Sequence, residues 1–234
     1  NPPPPPPPPP PAGPAPTCAR SVARSDWTAA AGLCRTEADR GDAQAQRLLA
    51  ALYEQGHGVG RDPTQAATWY SKAATAGDPE AQVRLGVMFR GGVGVRRDDR
   101  QATAWFKQAA DRGSTSGMLE YGVALDEGRG VSSNDVAAAQ WYRKASDAGS
   151  GIATRRLGRL YERGDGVPKN ETEAAELYRK AGEKGDAEGQ FLLGKLYKDG
   201  KGVPKDAAAA LEWFRKAAAQ GHREAQEEAR KLGG

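Results

Sequence analysis

Between Gly77 and Arg112 the apolar residues gather in two clusters, each with helical spacing. Ala81, Leu85 and Phe89, with Met88 beside them, share one face, and after Gly91 to Gly94 a second face follows from Ala102, Trp105, Phe106, Ala109 and Ala110. The pattern predicts two amphipathic helices, a first and a second, joined by a glycine turn. Asp78 is placed to cap the first helix, and Pro79 suits its first turn, where a missing N–H costs nothing. Asp98 caps the second, with Gln101 three residues on in capping-box position. Gly113 ends it, and Ser114 starts the next first helix.

This block of 36 residues returns five times. Gly41, Gly77, Gly113, Gly149, Gly185 and Gly221 keep its register, as do Ala66, Ala102, Ala138, Ala174 and Ala210 and then Ala73, Ala109, Ala145, Ala181 and Ala217. The second-helix cap reads Asp62, Asp98, Asn134, Asn170 and Asp206. Small residues such as Gly86, Gly122, Gly158 and Gly194 allow close helix approach, and Trp69, Trp105, Trp141 and Trp213 fill the space between pairs. One helix pair cannot bury its apolar face alone, so stability must come from stacking neighbours.

The segment Asp78 to Phe89, the turn Gly92 to Val95 and the run Ala102 to Ala110 resemble the signature of the Sel1-like repeat family, relatives of tetratricopeptide repeats. The resemblance covers about 26–232. It implies an all-α, right-handed solenoid of antiparallel helix pairs whose first helices line a concave groove for a protein partner. The expected division is a proline-rich spacer at 1–17, an N-terminal capping half-repeat at 18–40, five repeats at 41–220 and a C-terminal capping helix at 221–234. That last helix, His222 to Leu232, carries charge where the other first helices carry Leu and Gly, as expected of an end facing water.

Pro2 to Pro11 form an unbroken proline run. At ~3.1 Å per residue in polyproline II, it makes a spacer on the order of 30 Å, or a ligand for an aromatic-lined groove, though no basic residue flanks it closely. Because the sequence opens on Asn1, an upstream segment is expected to have been removed. The net charge of +4, set by 34 basic and 30 acidic residues, suits a mixed solvated surface and not a nucleic-acid footprint. No apolar run has the length of a membrane span.

Cys18 and Cys34 are the two cysteines. Cys34 occupies the aromatic slot of a truncated second helix that Asp26 caps and Ala30 and Leu33 continue, so it should face inward. A Cys18–Cys34 disulfide would pin the N-terminal cap and place the protein in an oxidising compartment, such as the bacterial periplasm. The competing reading is a small buried Cys34 and an incidental Cys18. Two cysteines without clustered histidines make no structural zinc set, so no metal and no cofactor are expected.

No constellation carries catalysis. Gly113 to Gly117 has Thr115 at its centre and follows a helix, so it lacks the context of a serine nucleophile elbow. The elements Ser-x-x-Lys and Lys-Thr-Gly, expected if the chain hydrolysed beta-lactams as some family members have been associated with doing, do not occur. His57, in a turn position held elsewhere by Val93, Arg129, Asp165 and Lys201, reads as solvent-facing, and His222 as a helix cap. Asn170, Glu171 and Thr172 match a glycosylation acceptor, but the cap role explains that asparagine. Leu125 and Leu177 replace aromatic residues of the other units as variable packing, and Gly182 replaces an alanine, which reads as a soft spot in its helix.

The chain is therefore expected to be a non-enzymatic binding module, monomeric on its own. Its groove, by register, would present Gln44, Arg47, Ala51 and Glu54, then Glu80, Val83, Val87 and Arg90, then Ser116, Leu119, Val123 and Asp126. The later units add Ile152, Arg155, Arg159 and Glu162, then Glu188, Phe191, Lys195 and Lys198. Val83, Val87, Leu119, Val123 and Ile152 make an apolar centre, and Arg155, Arg159, Lys195 and Lys198 a basic end favouring an acidic partner segment. An envelope scaffold and an immunity protein that occludes a secreted toxin are the roles the resemblance allows.

Overall fold

The computed structural model of the chain describes residues 17–233, so the proline run lies outside the described residues. Those residues form thirteen α-helices and no strand. They are α1 (Cys18–Ala23), α2 (Trp27–Asp39), α3 (Ala43–Gln55), α4 (Pro63–Thr75), α5 (Pro79–Gly91), α6 (Asp99–Asp111) and α7 (Thr115–Glu127). The rest are α8 (Asp135–Asp147), α9 (Gly151–Arg163), α10 (Glu171–Glu183), α11 (Ala187–Asp199), α12 (Ala207–Ala219) and α13 (Arg223–Gly233). Each packs chiefly on its neighbours in sequence, which makes the stack a solenoid. The odd-numbered helices from α3 to α11 are the first helices of the hairpins and the even-numbered α4 to α12 the second.

The caps fall where the sequence placed them. Asp42, Asp78, Ser114, Ser150 and Asp186 each accept a backbone N–H from the first turn of their helix, and Asp62, Asp98, Asn134, Asn170 and Asp206 do the same for the second helices. Every first helix from α3 to α11 ends on a left-handed glycine, from Gly56 to Gly200. The glycine two residues further on is doubly constrained. At Gly94 φ is +70°, and a Cβ there would stand 2.0 Å from the carbonyl oxygen of Pro63, at the start of the preceding second helix. Gly130 meets Asp99 and Gly202 meets Glu171 in the same way, so each turn is seated on the unit before it.

A buried glutamine staples successive hairpins. Gln46 Nε2 donates to Ala38 O at 3.2 Å, Gln82 to Ala74 O at 3.0 Å and Gln190 to Gly182 O at 2.8 Å, each reaching the last turn of the helix before it. In the fourth unit Thr154 takes the place, its hydroxyl 2.7 Å from that of Ser146. The three glutamines give a second donor to carbonyls that already accept from the turn glycines Gly41, Gly77 and Gly185, so their gain is the link between hairpins.

Cys18 and Cys34 are joined by a disulfide that ties α1 onto α2, and both are buried. His57 departs from its expected solvent-facing place. Its ring stacks on Trp27 with centroids 4.4 Å apart, because this first turn sits on the N-terminal cap and not on a full repeat. Gly182 has a packing role besides: a Cβ there would stand 2.9 Å from Gln190 Cγ and 3.1 Å from the Trp213 ring, so the glycine makes room for the next hairpin.

Candidate functional site

The stack closes towards the first helices. α5 approaches α7 and α9 approaches α11, whereas no two second helices come into comparable contact, so the first helices line the inner side. Along that side, cations of one unit reach acids of the next. Arg47 pairs with Asp78 and Glu80, both at 3.0 Å, Arg155 with Asp186 at 2.8 Å, and Arg159 with Glu188 at 3.2 Å. Arg90 pairs with Glu120 and Lys198 with Glu228.

This ladder corrects the picture of an open basic end. Arg155 is not exposed: its side chain retains 15% of its accessible surface and Asp186 retains 9%. Asp186 also caps α11, so the pair belongs to the stack. Because Arg155 and Asp186 are both largely out of water, their attraction is screened less than that of exposed charges. Lys195 stands apart, exposed, with its ammonium 5.7 Å from the centroid of the Phe191 ring.

In three units the fourth of the expected groove residues is spent within the hairpin. Glu54 accepts from the Tyr70 hydroxyl at 2.7 Å, Asp126 from Tyr142 at 2.9 Å and Glu162 from Tyr178 at 2.6 Å. Burial, with the adjacent carboxylate, pushes the Tyr70 and Tyr178 hydroxyls well above the ordinary phenol range. For Tyr142 burial again dominates, opposed in part by Arg156.

The apolar centre divides. Val123 is buried, at 8% exposure, because α7 turns it into the stack, and Leu119 is half-buried against the core of the third and fourth units. Phe191 stacks on His222 at 4.5 Å and so packs the C-terminal cap, where His222 also accepts from Ala225 N and meets Glu188. Val87 and Ile152 are exposed, at 37% and 47%. Val83 and Val87 line an open groove of about 470 Å³ between α5 and the start of α7, where Ser116 forms the far wall. Two residues absent from the sequence expectation flank it, Arg84 and Arg112, both exposed and without an ion pair among the described residues. Arg112 follows the last residue of α6 as its C-cap, and its reach across Gly77 is a tertiary property, so register alone did not point to it.

Among the described residues no cluster of three or more His, Cys, Asp or Glu is placed to hold a metal ion, and no helix is long and apolar enough to cross a membrane.

Comparison with known proteins places these features in a family. The chain is similar to a Sel1 repeat protein of Oxalobacter formigenes, with 31% identity over 91% of this chain and 84% of that one and a TM-score of 0.86. It is also similar to c5321, a protective antigen of uropathogenic Escherichia coli with an SLR fold, at 35% identity and a TM-score of 0.75. That match covers 88% of this chain and 52% of the antigen, so the chain spans about half its length. The immunity protein Pa5087 of Pseudomonas aeruginosa shares the fold at 21% identity and a TM-score of 0.52, over 93% of this chain and 84% of that one. No curated protein matches the chain. A family model described as the Sel1 repeat matches residues 43–78, 79–114, 115–150, 151–186 and 187–222, so this chain, with its capped hairpins and seated turns, belongs to the Sel1 repeat family.

Proposed function

We propose that the chain is a non-enzymatic scaffold that holds a partner protein on its first-helix side, anchored in the groove between α5 and α7. The observation that carries this reading is the juxtaposition of Val83 and Val87 with Arg84 and Arg112, which make no ion pair among the described residues, while Glu80, the acid in the same wall, is paired with Arg47. Apolar anchors in a concave surface supply affinity, and unpaired guanidinium groups select an acidic segment and speed its approach. A preformed wall adds to affinity because little of it must be ordered on binding.

The acidic preference thus moves from the C-terminal end of the solenoid to its second unit. Lys195 and Ile152 remain outlying members of the same surface, whereas Arg47, Arg90, Arg155, Arg159 and Lys198 are engaged in pairs that join one unit to the next, and Glu54 and Asp126 are tied within their hairpins. The disulfide supports an extracytoplasmic location, with the bacterial periplasm as the finer proposal. Within that compartment the partner is either an envelope component or a secreted toxin. The fold shared with an immunity protein of Pseudomonas aeruginosa makes the second a reading to test and no more than the fold is common to both.

The test is capture from an envelope extract with the native chain and with a Val83→Asp, Val87→Asp variant side by side. A protein held by the first and weakened at least about tenfold in the second supports the groove. Equal retention by both moves the site elsewhere. A secreted hydrolase as the retained protein selects the immunity role, and an envelope complex selects the scaffold. Turnover of a chromogenic beta-lactam by the native chain would overturn the non-enzymatic reading.

A further inference from the structure

The tryptophan of the second helix recurs as Trp69, Trp105, Trp141 and Trp213 and is replaced by Leu177 in the fourth unit. Such an indole leans back on the second helix of the preceding unit, as Trp213 does at Gly182. By the same offset, an indole at 177 would lean on Ser146. With leucine there, Ser146, Leu157, Tyr161 and Leu177 wall a recess of about 510 Å³ among α8, α9 and α10, and Lys184, also in its wall, donates to Ser146 O at 3.2 Å. Elsewhere on the outer face, the second unit, which keeps its tryptophan, has a groove of about 490 Å³ beside Leu85 and Phe89, and Trp105 is not part of its wall.

A second observation says what belongs there. Lys72 places its ammonium 3.7 Å from the centroid of the Trp69 ring, Lys144 stands 4.1 Å from Trp141 and Lys216 4.2 Å from Trp213. Each lysine follows its tryptophan by three residues, one helical turn on. Lys180 stands in the same relation to Leu177, lines the recess, is exposed and makes no ion pair among the described residues. The cation is retained where the ring is not. Its position favours an aromatic face, and the face is not supplied by the chain.

We propose that this recess receives the tryptophan side chain of a partner polypeptide, which takes the place the chain's own indoles hold in the other units, beneath the ammonium of Lys180. The half-buried ring of Tyr161 offers the indole an apolar face, Leu157 and Leu177 close the recess from beneath, and Glu173 at the wall offers a carboxylate to accept its N–H. The recess is open to the outer surface, so a backbone can remain outside while one side chain enters. A tryptophan from another chain then makes the kind of contact that dominates protein interfaces. Leu157 and Tyr161 leave α9 on the side away from Arg155 and Arg159, so this site is separate from the groove between α5 and α7 and stands or falls without it.

The experiment is a titration of the full chain, followed by backbone amide NMR, with N-acetyl-tryptophanamide as probe and N-acetyl-alaninamide as control. The expected result is saturable shifts at Ser146, Leu177 and Lys180 with the first compound and none with the second. Leu177→Trp should abolish them by filling the slot from within, and Lys180→Met should weaken binding about fivefold, the value of one partly exposed cation–π contact. Lys180 is exposed, so that variant decides the matter even if Leu177→Trp does not fold. Shifts that fail to saturate, or that persist unchanged in either folded variant, overturn the proposal. The tripeptide acetyl-Ser-Trp-Ser-amide must bind at least as well as the probe; binding of the amino-acid derivative with exclusion of the tripeptide overturns a polypeptide occupant. The Val83→Asp, Val87→Asp variant should bind the probe normally, so failure here and failure of the groove are told apart.

Discussion

Tyr178 donates its hydroxyl proton to Glu162 at 2.6 Å, across the two helices of one hairpin and sixteen residues apart in sequence. Tyr70 with Glu54 and Tyr142 with Asp126 repeat the relation. Where the ring is a phenylalanine, the residue sixteen earlier is a cation instead: Arg90 for Phe106 and Lys198 for Phe214. The Arg90 guanidinium lies 5.3 Å from the centroid of the Phe106 ring, and both cations reach forward two helices, Arg90 to Glu120 in α7 and Lys198 to Glu228 in α13. One position therefore serves two linkages. A hydroxyl draws a carboxylate inward within the unit, and a bare ring leaves the position to a cation that joins one unit to the next.

Tyr178→Phe should accordingly cost about 1–3 kcal/mol, since a partly buried carboxylate loses its donor. Urea unfolding followed by circular dichroism measures it. A value near zero would mean that water replaces the hydroxyl without loss.

Alkaline pH should weaken the fold through the same three tyrosines. Their raised values mean that the folded state holds its phenolic protons more tightly than the unfolded chain. Stability from this source is complete below the ordinary phenol pKa near 10 and is lost as pH rises above it. A spectrophotometric titration should show Tyr70, Tyr142 and Tyr178 still protonated at a pH where an unfolded control is ionised.

Arg155→Glu should destabilise the junction of the fourth and fifth units by about 3 kcal/mol, because it leaves Asp186 facing a like charge in a desolvated place. Arg159→Glu, with 41% of its side chain exposed, should cost much less. Thermal unfolding of the two variants distinguishes a structural ladder from a free basic surface: equal small effects would restore the latter.

Reduction of the Cys18–Cys34 bond, or Cys34→Ser, should remove ~3 kcal/mol from the N-terminal cap, the chain-entropy value for a loop of this size. Hydrogen exchange is expected to rise in α1 and α2 and to stay unchanged from α5 onward, since contacts in the stack pass only to near neighbours.

The hairpins, their caps and the turn glycines were legible in the sequence because each depends on local chemistry repeated in register. Asp62, Asp98, Asn134, Asn170 and Asp206 cap their helices wherever the neighbours lie. The groove was less legible. Register identifies the side of a helix, but it does not say whether a side chain on that side meets water or the next unit. Arg155 and Glu188 show the gap: their partners lie about thirty residues away, and the inter-unit offset that pairs Arg155 with Asp186 emerges only when the hairpins are stacked. His57 shows another, since its turn meets Trp27 in place of a second helix of the repeat. At Leu177 the change from tryptophan keeps an apolar body and by itself signals only packing variation; the lysine one turn later is the sequence feature on which the proposed recess rests.

The glycines seated on the preceding unit have a mechanical consequence. Because Gly94 rests on Pro63 and Gly130 on Asp99, a hairpin cannot be peeled from one end without also freeing the turn that rests on it. A chain pulled by its termini should yield in even steps, each releasing one period of 36 residues, or ~120 Å of contour length at full extension. The same seating makes a whole period the unit by which such a chain can be lengthened or shortened without leaving a turn unsupported.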